Sequence, residues 1–112
     1  ENIPVKVVVF NNGNHGMVRQ WQKIFYNSKF SASELTHHTP DYVKLAESMG
    51  AVGLRMTKKD DVQKIFTEML NINDKPVLID CVVDPDDMVF PMVPAGGSND
   101  QIIMNKEDLK QL

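Results

Sequence analysis

The segment Val5-Lys6-Val7-Val8-Val9-Phe10 constrains the fold more than any other: it is β-branched, almost wholly apolar, and stops abruptly at Asn11-Asn12-Gly13-Asn14. A strand with apolar side chains on both faces belongs inside a parallel sheet covered on both sides. A turn-forming cluster at its end marks the carboxyl edge of that sheet. Residues 51–56 read as a second, short strand and Pro76 to Val83 as a third, buried one.

Helical patterns separate these strands. Residues 16–26 predict a helix with Met17, Trp21 and Ile24 or Phe25 on one face. Asn27 to His38 is polar and Ser-rich and reads as a mobile loop. Thr39-Pro40-Asp41 reads as a helix start, with Thr39 as the capping hydroxyl and proline at the first helical position. Tyr42, Leu45, Ala46 and Met49 follow at helical spacing, and Gly50 is placed to end that helix in a left-handed conformation. Thr57 is the expected cap of the next helix, with Asp60 and Asp61 in its first turn. Val62, Ile65, Phe66, Met69 and Leu70 then form an apolar stripe, and Asn73-Asp74 makes a turn. The order strand–helix–helix–strand–helix–strand predicts an α/β fold, a three-layer sandwich around a parallel sheet with right-handed crossovers.

Length and charge set the outer bounds. At 112 residues the chain is one small domain or a piece of a larger one. Twelve basic and 15 acidic side chains give a net charge of -3, and no basic stripe supports a nucleic-acid partner. Cys81 is the single cysteine, which excludes an intrachain disulfide and fits a reducing compartment. No apolar run approaches the roughly 20 residues of a membrane span. The opening Glu1-Asn2-Ile3-Pro4 has no initiator methionine, signal or transit pattern, and reads as an internal edge of a longer chain.

Met88-Val89-Phe90-Pro91-Met92-Val93-Pro94 stands apart, since it is strongly apolar while its two prolines deny it a regular strand or helix. So dense an apolar loop is expected to meet a subunit or domain surface. Ala95-Gly96-Gly97-Ser98 after it allows a close backbone approach.

In an open parallel sheet, ligands gather at the carboxyl ends of the strands. Asn11 to Asn14 lie at such an end, and their amide oxygens are hard, neutral donors suited to Mg²⁺. On these four residues alone, a plain turn is the leading reading and a cation site the alternative. Met17 and Trp21 are one helical turn apart, which taken alone reads as core packing. His37-His38 lacks a third ligand and reads as a pair of solvated loop histidines. His15 has no carboxylate or cysteine partner by spacing. Cys81 reads as a small buried hydrophobe. Asp84, Asp86 and Asp87 read as an exposed acidic turn, because Pro85 and a missing glycine argue against a calcium loop.

A resemblance narrows these readings. Asn11-Asn12 with Gly16-Met17-Val18-Arg19-Gln20-Trp21-Gln22 and Phe25-Tyr26 resembles the cofactor loop and mobile helix of the acetolactate synthase (acetohydroxyacid synthase) family. Pro40-Asp41 with Lys44-Leu45-Ala46-Glu47, Pro76-Val77-Leu78-Ile79-Asp80 and Pro91-Met92-Val93-Pro94-Ala95-Gly96-Gly97 resemble the same family in order, from about residue 3 to about 103. The resemblance implies the C-terminal half of a thiamine-diphosphate-binding domain across residues 1–112, without the Gly-Asp-Gly motif that opens the cation site.

It also implies roles. Asn12 supplies its side-chain oxygen and Asn14 its backbone carbonyl to Mg²⁺, which clamps the diphosphate of the cofactor. Asn12, Gly16 and Met17 meet thiamine diphosphate. Met17, Trp21 and Ala95 line the substrate and inhibitor channel, and Trp21 helps choose the second keto-acid. The whole enzyme decarboxylates pyruvate and condenses the hydroxyethyl unit with pyruvate or 2-ketobutyrate in branched-chain amino-acid biosynthesis. Its activating glutamate and its FAD site lie outside this segment, so none of the residues here is catalytic and the chain alone is expected to be inactive. The implied partners are the rest of the catalytic subunit, a homodimer or homotetramer, and a regulatory small subunit, with neither nucleic acid nor membrane. The implied location is the bacterial cytoplasm, or a plastid or mitochondrion in a eukaryote. Two rivals remain, another thiamine-diphosphate carboligase or decarboxylase and a non-catalytic α/β module. The Gln20-Trp21-Gln22 helix and the Pro94-Ala95-Gly96-Gly97 tail argue against the first.

Overall fold

The computed structural model describes residues 3–111; residues 1, 2 and 112, the ends of the 1–112 span read above, lie outside the described residues. The elements run β1 (Lys6–Asn11), α1 (Gly16–Phe25), α2 (Tyr42–Ser48), β2 (Val52–Met56), α3 (Val62–Asn71) and β3 (Val77–Val82), in the order predicted. The three strands are parallel and lie in the order β1-β3-β2, so the last strand in sequence is the central one. The chain forms two compact units: Glu1–Asn14 with Leu35–Pro85, and His15–Glu34 with Asp86–Leu112.

The first unit is an α/β sandwich whose two faces follow from strand alternation. On one face Val77, Ile79 and Cys81 of β3 join Met56 and Met69 in a buried cluster, with Val8, Val52, Leu54, Ile65 and Phe66 packed around it. Helix α3 therefore lays Ile65, Phe66 and Met69 on this face. Val62, which opens the helix, and Leu70, at the edge of its stripe, are 41% and 62% exposed. Cys81 takes its expected place as a small buried hydrophobe, 8% exposed.

The other face carries Gly53 and Arg55 of β2 and Asp80 of β3, with helix α2 against it. A methyl group on Gly53 would come within 2.5 Å of the Val43 carbonyl oxygen and 2.8 Å of the Val43 Cα. Backbone cannot retreat as a side-chain tip can, so only glycine lets α2 sit this close to β2. Gly53→Ala is expected to cost about 1–3 kcal/mol of stability through overpacking, read as a lower urea midpoint. An unchanged midpoint would place α2 farther from the sheet.

Two expected caps are corrected. Thr39 does not cap α2; its hydroxyl donates to the Leu35 carbonyl at 2.7 Å. Asp41 is the cap, its carboxylate accepting from the Val43 and Lys44 N–H groups at 3.1 and 3.3 Å. An ionised acceptor at a helix N-terminus outcompetes a hydroxyl, and the residue before proline is held extended. Thr57 does not cap α3 either: a short 3₁₀ turn, Lys59–Asp61, precedes that helix, and neither start has a side-chain cap. The end of α2 is as expected, with Gly50 at φ +77°. There the Gly50 and Ala51 N–H groups donate to the Glu47 and Ala46 carbonyls at 3.0 and 2.9 Å, a Schellman closure.

Candidate functional site

The turn after β1 is built from its own asparagines. Asn11 Oδ1 accepts from the Gly13 N–H at 3.0 Å, and Asn12 Oδ1 accepts from the Asn14 N–H at 3.0 Å. Asn14 Nδ2 donates back to the Asn12 carbonyl at 2.6 Å. Two successive side-chain-to-backbone turns thus bring Asn12 and Asn14 together at the carboxyl edge of the sheet. Asn14 Oδ1 is buried and has no hydrogen-bond partner among the described residues. An unmatched buried acceptor costs roughly 1–3 kcal/mol unless a bound group satisfies it.

Mg²⁺ and a diphosphate fit this chemistry. The donors offered are neutral carboxamide and carbonyl oxygens, and Asn12 Oδ1 keeps a second lone pair. No cluster of three or more His, Cys, Asp or Glu that could hold a metal ion exists among the described residues.

A charged network stands behind the turn. Asp80, 2% exposed, accepts from Asn11 Nδ2 at 2.9 Å and from Arg55 Nε at 3.0 Å. Arg55 also reaches Asp41 at 2.7 Å. The bond to Asp80, and then the bond and charge of Asp41, keep the Arg55 guanidinium protonated beyond its ordinary range. Desolvation opposes ionisation of Asp41, but the Lys44 N–H and Arg55 outweigh it and hold the carboxyl below its usual range.

In the second unit, α1 carries Gly16, Met17 and Trp21. Met17 is 74% exposed, while Trp21 is half-buried and meets Phe25 edge-on, ring centroids 5.9 Å apart. Both glutamines beside Trp21 make two-point clamps on backbone. Gln20, 8% exposed, accepts from the Val89 N–H at 2.9 Å and donates to the Val89 carbonyl at 3.0 Å. Gln22 donates to the Ser31 carbonyl at 2.9 Å and accepts from the Ser31 N–H at 3.3 Å. Arg19 adds ion pairs to Glu34 at 3.1 Å and Asp86 at 3.2 Å, and lies 4.0 Å from the centre of the Phe30 ring. Trp21 is thereby presented on a helix fastened to the loop on one side and to the apolar run on the other.

Sequence reasoning missed these clamps. The acidic turn at Asp84, Asp86 and Asp87 is exposed as expected, and within it Lys23 at 3.0 Å and then Arg19 hold the Asp86 carboxyl below the usual range. Besides the Gln20 clamp, the Met88–Pro94 run forms one isolated β-bridge among the described residues, Met92 to Ile103, with bonds of 2.9 and 2.8 Å. Phe90 and Met92 stay half-buried within the chain. Ala95 stands exposed on the turn closed by the Gly97 N–H to the Pro94 carbonyl at 2.9 Å. His15, His37 and His38 are exposed.

Comparison with known proteins adds to this geometry. Residues 1–81 match the family described as thiamine pyrophosphate enzyme, C-terminal TPP binding domain. The chain is 52% identical over 105 residues to an acetolactate synthase of Mycobacterium bovis, covering 91% of this chain and 17% of that protein. It is 45% identical over 105 residues to the acetolactate synthase large subunit of Corynebacterium glutamicum, again covering 91% of this chain and 17% of that protein. Against acetolactate synthase isozyme 2 large subunit of Escherichia coli the identity is 38% over 103 residues, 92% of this chain and 18% of that protein. The chain thus spans under a fifth of the length of these relatives.

Proposed function

The chain belongs to the thiamine pyrophosphate enzyme family, as part of its C-terminal TPP binding domain, and from that premise we propose that it supplies one side of the Mg²⁺–diphosphate site and part of the substrate channel of an acetolactate synthase. The observation that carries the reading is the Asn11–Asn14 turn, which ends the parallel strand β1 and holds an unmatched acceptor on Asn14. Similarity to acetolactate synthase large subunits supports the reaction proposed here: decarboxylation of pyruvate and condensation of the hydroxyethyl unit with pyruvate or 2-ketobutyrate.

Thiamine diphosphate supplies the carbanion-stabilising chemistry when bound. The residues of this chain bind and orient. Asn12, through its side chain, and Asn14, through its carbonyl, hold the cation. Gly16 and Met17 open the helix beside the cofactor. Trp21 and Ala95 shape the channel for the second keto-acid. The activating carboxylate, the remaining cation ligands and the FAD site belong to protein outside these residues. The apolar Met88–Pro94 run, half-buried within the chain with Val89 and Pro91 exposed, supports packing against another domain or subunit.

Calorimetric titration with Mg²⁺ and thiamine diphosphate tests the proposal. The full-length catalytic subunit is expected to bind the cofactor in a Mg²⁺-dependent way and form acetolactate from pyruvate. The 112 residues alone are expected to bind weakly or not at all, since near-octahedral Mg²⁺ lacks its aspartate ligand there. Tight binding by the bare chain would contradict the half-site. Mg²⁺-independent retention by the full subunit would remove the proposal.

A further inference from the structure

We propose that Asp80 is a positioning residue for the cation-binding turn: its buried carboxylate, anchored by Arg55, fixes the carboxamide of Asn11 and, through it, the backbone that presents Asn12 and Asn14. The inference rests on the reading above that this turn holds Mg²⁺.

A carboxylate at 2% exposure inside the central strand is costly unless fully paired. The parallel register supplies the partners. Arg55 of β2 and Val9 of β1 lie directly beside Asp80, and Asn11, two residues beyond Val9, shares their face. One carboxylate oxygen, Oδ2, accepts from Arg55 Nε at 3.0 Å, and the other, Oδ1, from Asn11 Nδ2 at 2.9 Å. Because an ionised carboxylate only accepts hydrogen bonds, it dictates which end of the Asn11 amide faces it. Asn11 must turn its NH₂ group toward Asp80. Its Oδ1 then points into the turn and takes the Gly13 N–H at 3.0 Å. A flipped amide would set oxygen against oxygen and leave Gly13 facing a donor. The next step repeats the device, with Asn12 Oδ1 on the Asn14 N–H at 3.0 Å. The polarity of Asp80 is thus passed along the chain to the two residues that carry the cation ligands.

A neutral amide at position 80 loses this control, since it offers a donor or an acceptor to Asn11 with equal ease. The expected phenotype is a cation defect rather than a turnover defect. In the full-length catalytic subunit, Mg²⁺ is titrated at saturating thiamine diphosphate, with cofactor binding followed by calorimetry and melting temperature measured in parallel. Asp80→Asn should raise the Mg²⁺ half-saturation concentration about 10-fold, the low end of the effect of groups that orient metal ligands. Turnover should recover when Mg²⁺ is raised to match. Ile79→Val, one residue away on the opposite face of the same strand, should lower the melting temperature and leave the Mg²⁺ requirement unchanged. Should Asp80→Asn fail to fold, Asn11→Ser removes the same hydrogen bond from the other side and should give the same shift.

An unaltered Mg²⁺ requirement in a folded Asp80→Asn or Asn11→Ser subunit overturns the inference while leaving the proposed function standing. An equal shift in Ile79→Val also overturns it, by reducing the effect to strand stability. Cofactor retention without Mg²⁺ in the unaltered enzyme removes the function itself, and the inference with it.

Discussion

Trp21→Leu in the intact enzyme is expected to lower the preference for 2-ketobutyrate over pyruvate by up to roughly 10–200-fold, the discrimination a hydrophobic pocket gains from one methylene. Trp21 lies one helical turn from Met17 and is only half-buried, so its ring retains apolar surface for a substrate. Its intrachain aromatic partner is Phe25, edge-on at 5.9 Å, a contact worth about 0.5–1.5 kcal/mol. The helix is held by other residues: Gln20 on Val89, Gln22 on Ser31, and Arg19 on Glu34 and Asp86. Loss of the indole should therefore leave the fold standing. Competition between the two keto-acids, scored as a ratio of products, measures the effect. A core role predicts the reverse, a stability loss of about 3–5 kcal/mol with the product ratio intact. An unchanged ratio in a folded, active variant takes Trp21 out of the channel.

Asn12→Ala is expected to weaken Mg²⁺-dependent cofactor binding by at least about 10–100-fold. Groups that merely orient metal ligands cost that much, and Asn12 is assigned a direct one. Asn14→Ala is the informative partner. Its backbone carbonyl survives the change, so a ligand role for that carbonyl predicts a much smaller loss. The side chain of Asn14 is nonetheless anchored, with Nδ2 on the Asn12 carbonyl and Oδ1 buried. If Asn14→Ala weakens binding as severely as Asn12→Ala, the Asn14 carboxamide is the ligand instead. Equilibrium dialysis against Mg²⁺ and cofactor separates the two cases.

The sheet was legible because burial writes itself into sequence as runs of one kind. Val5–Phe10 and Pro76–Val83 both read as strands buried on two faces; β3 lies so, whereas β1 is an edge strand that leaves Val5, Val7 and Phe10 50%, 42% and 74% exposed, because an apolar run marks a strand but not its place in the sheet. The α3 stripe was legible for the same reason, apart from its margins at Val62 and Leu70. Caps were less legible, because Thr39 and Asp41 competed for one helix start and only geometry shows that the carboxylate reaches two N–H groups. The polar framework of the site was hidden almost entirely. Gln20 and Gln22 look like solvated helix positions, yet Gln20 clamps a residue 69 positions away. Asp80 likewise bonds Asn11 across 69 positions, and Arg55 across 25. Periodicity reports which face a residue occupies but not which distant backbone will meet it. Asn12 and Asn14 were singled out by a resemblance together with their place at a strand end. The reason their turn holds its shape came from the structure.

The central claim, that the Asn11–Asn14 turn is one side of a divalent-cation site, is tested most directly by locating the ion. Mn²⁺ occupies the same octahedral oxygen sites as Mg²⁺ and is visible by anomalous scattering. In crystals of the full-length catalytic subunit grown with Mn²⁺ and thiamine diphosphate, the anomalous peak should lie about 2.0–2.2 Å from Asn12 Oδ1 and from the Asn14 carbonyl oxygen, close to Mg²⁺ coordination distances. A fully occupied peak bound to other residues, with this turn farther than a coordination bond away, would contradict the account.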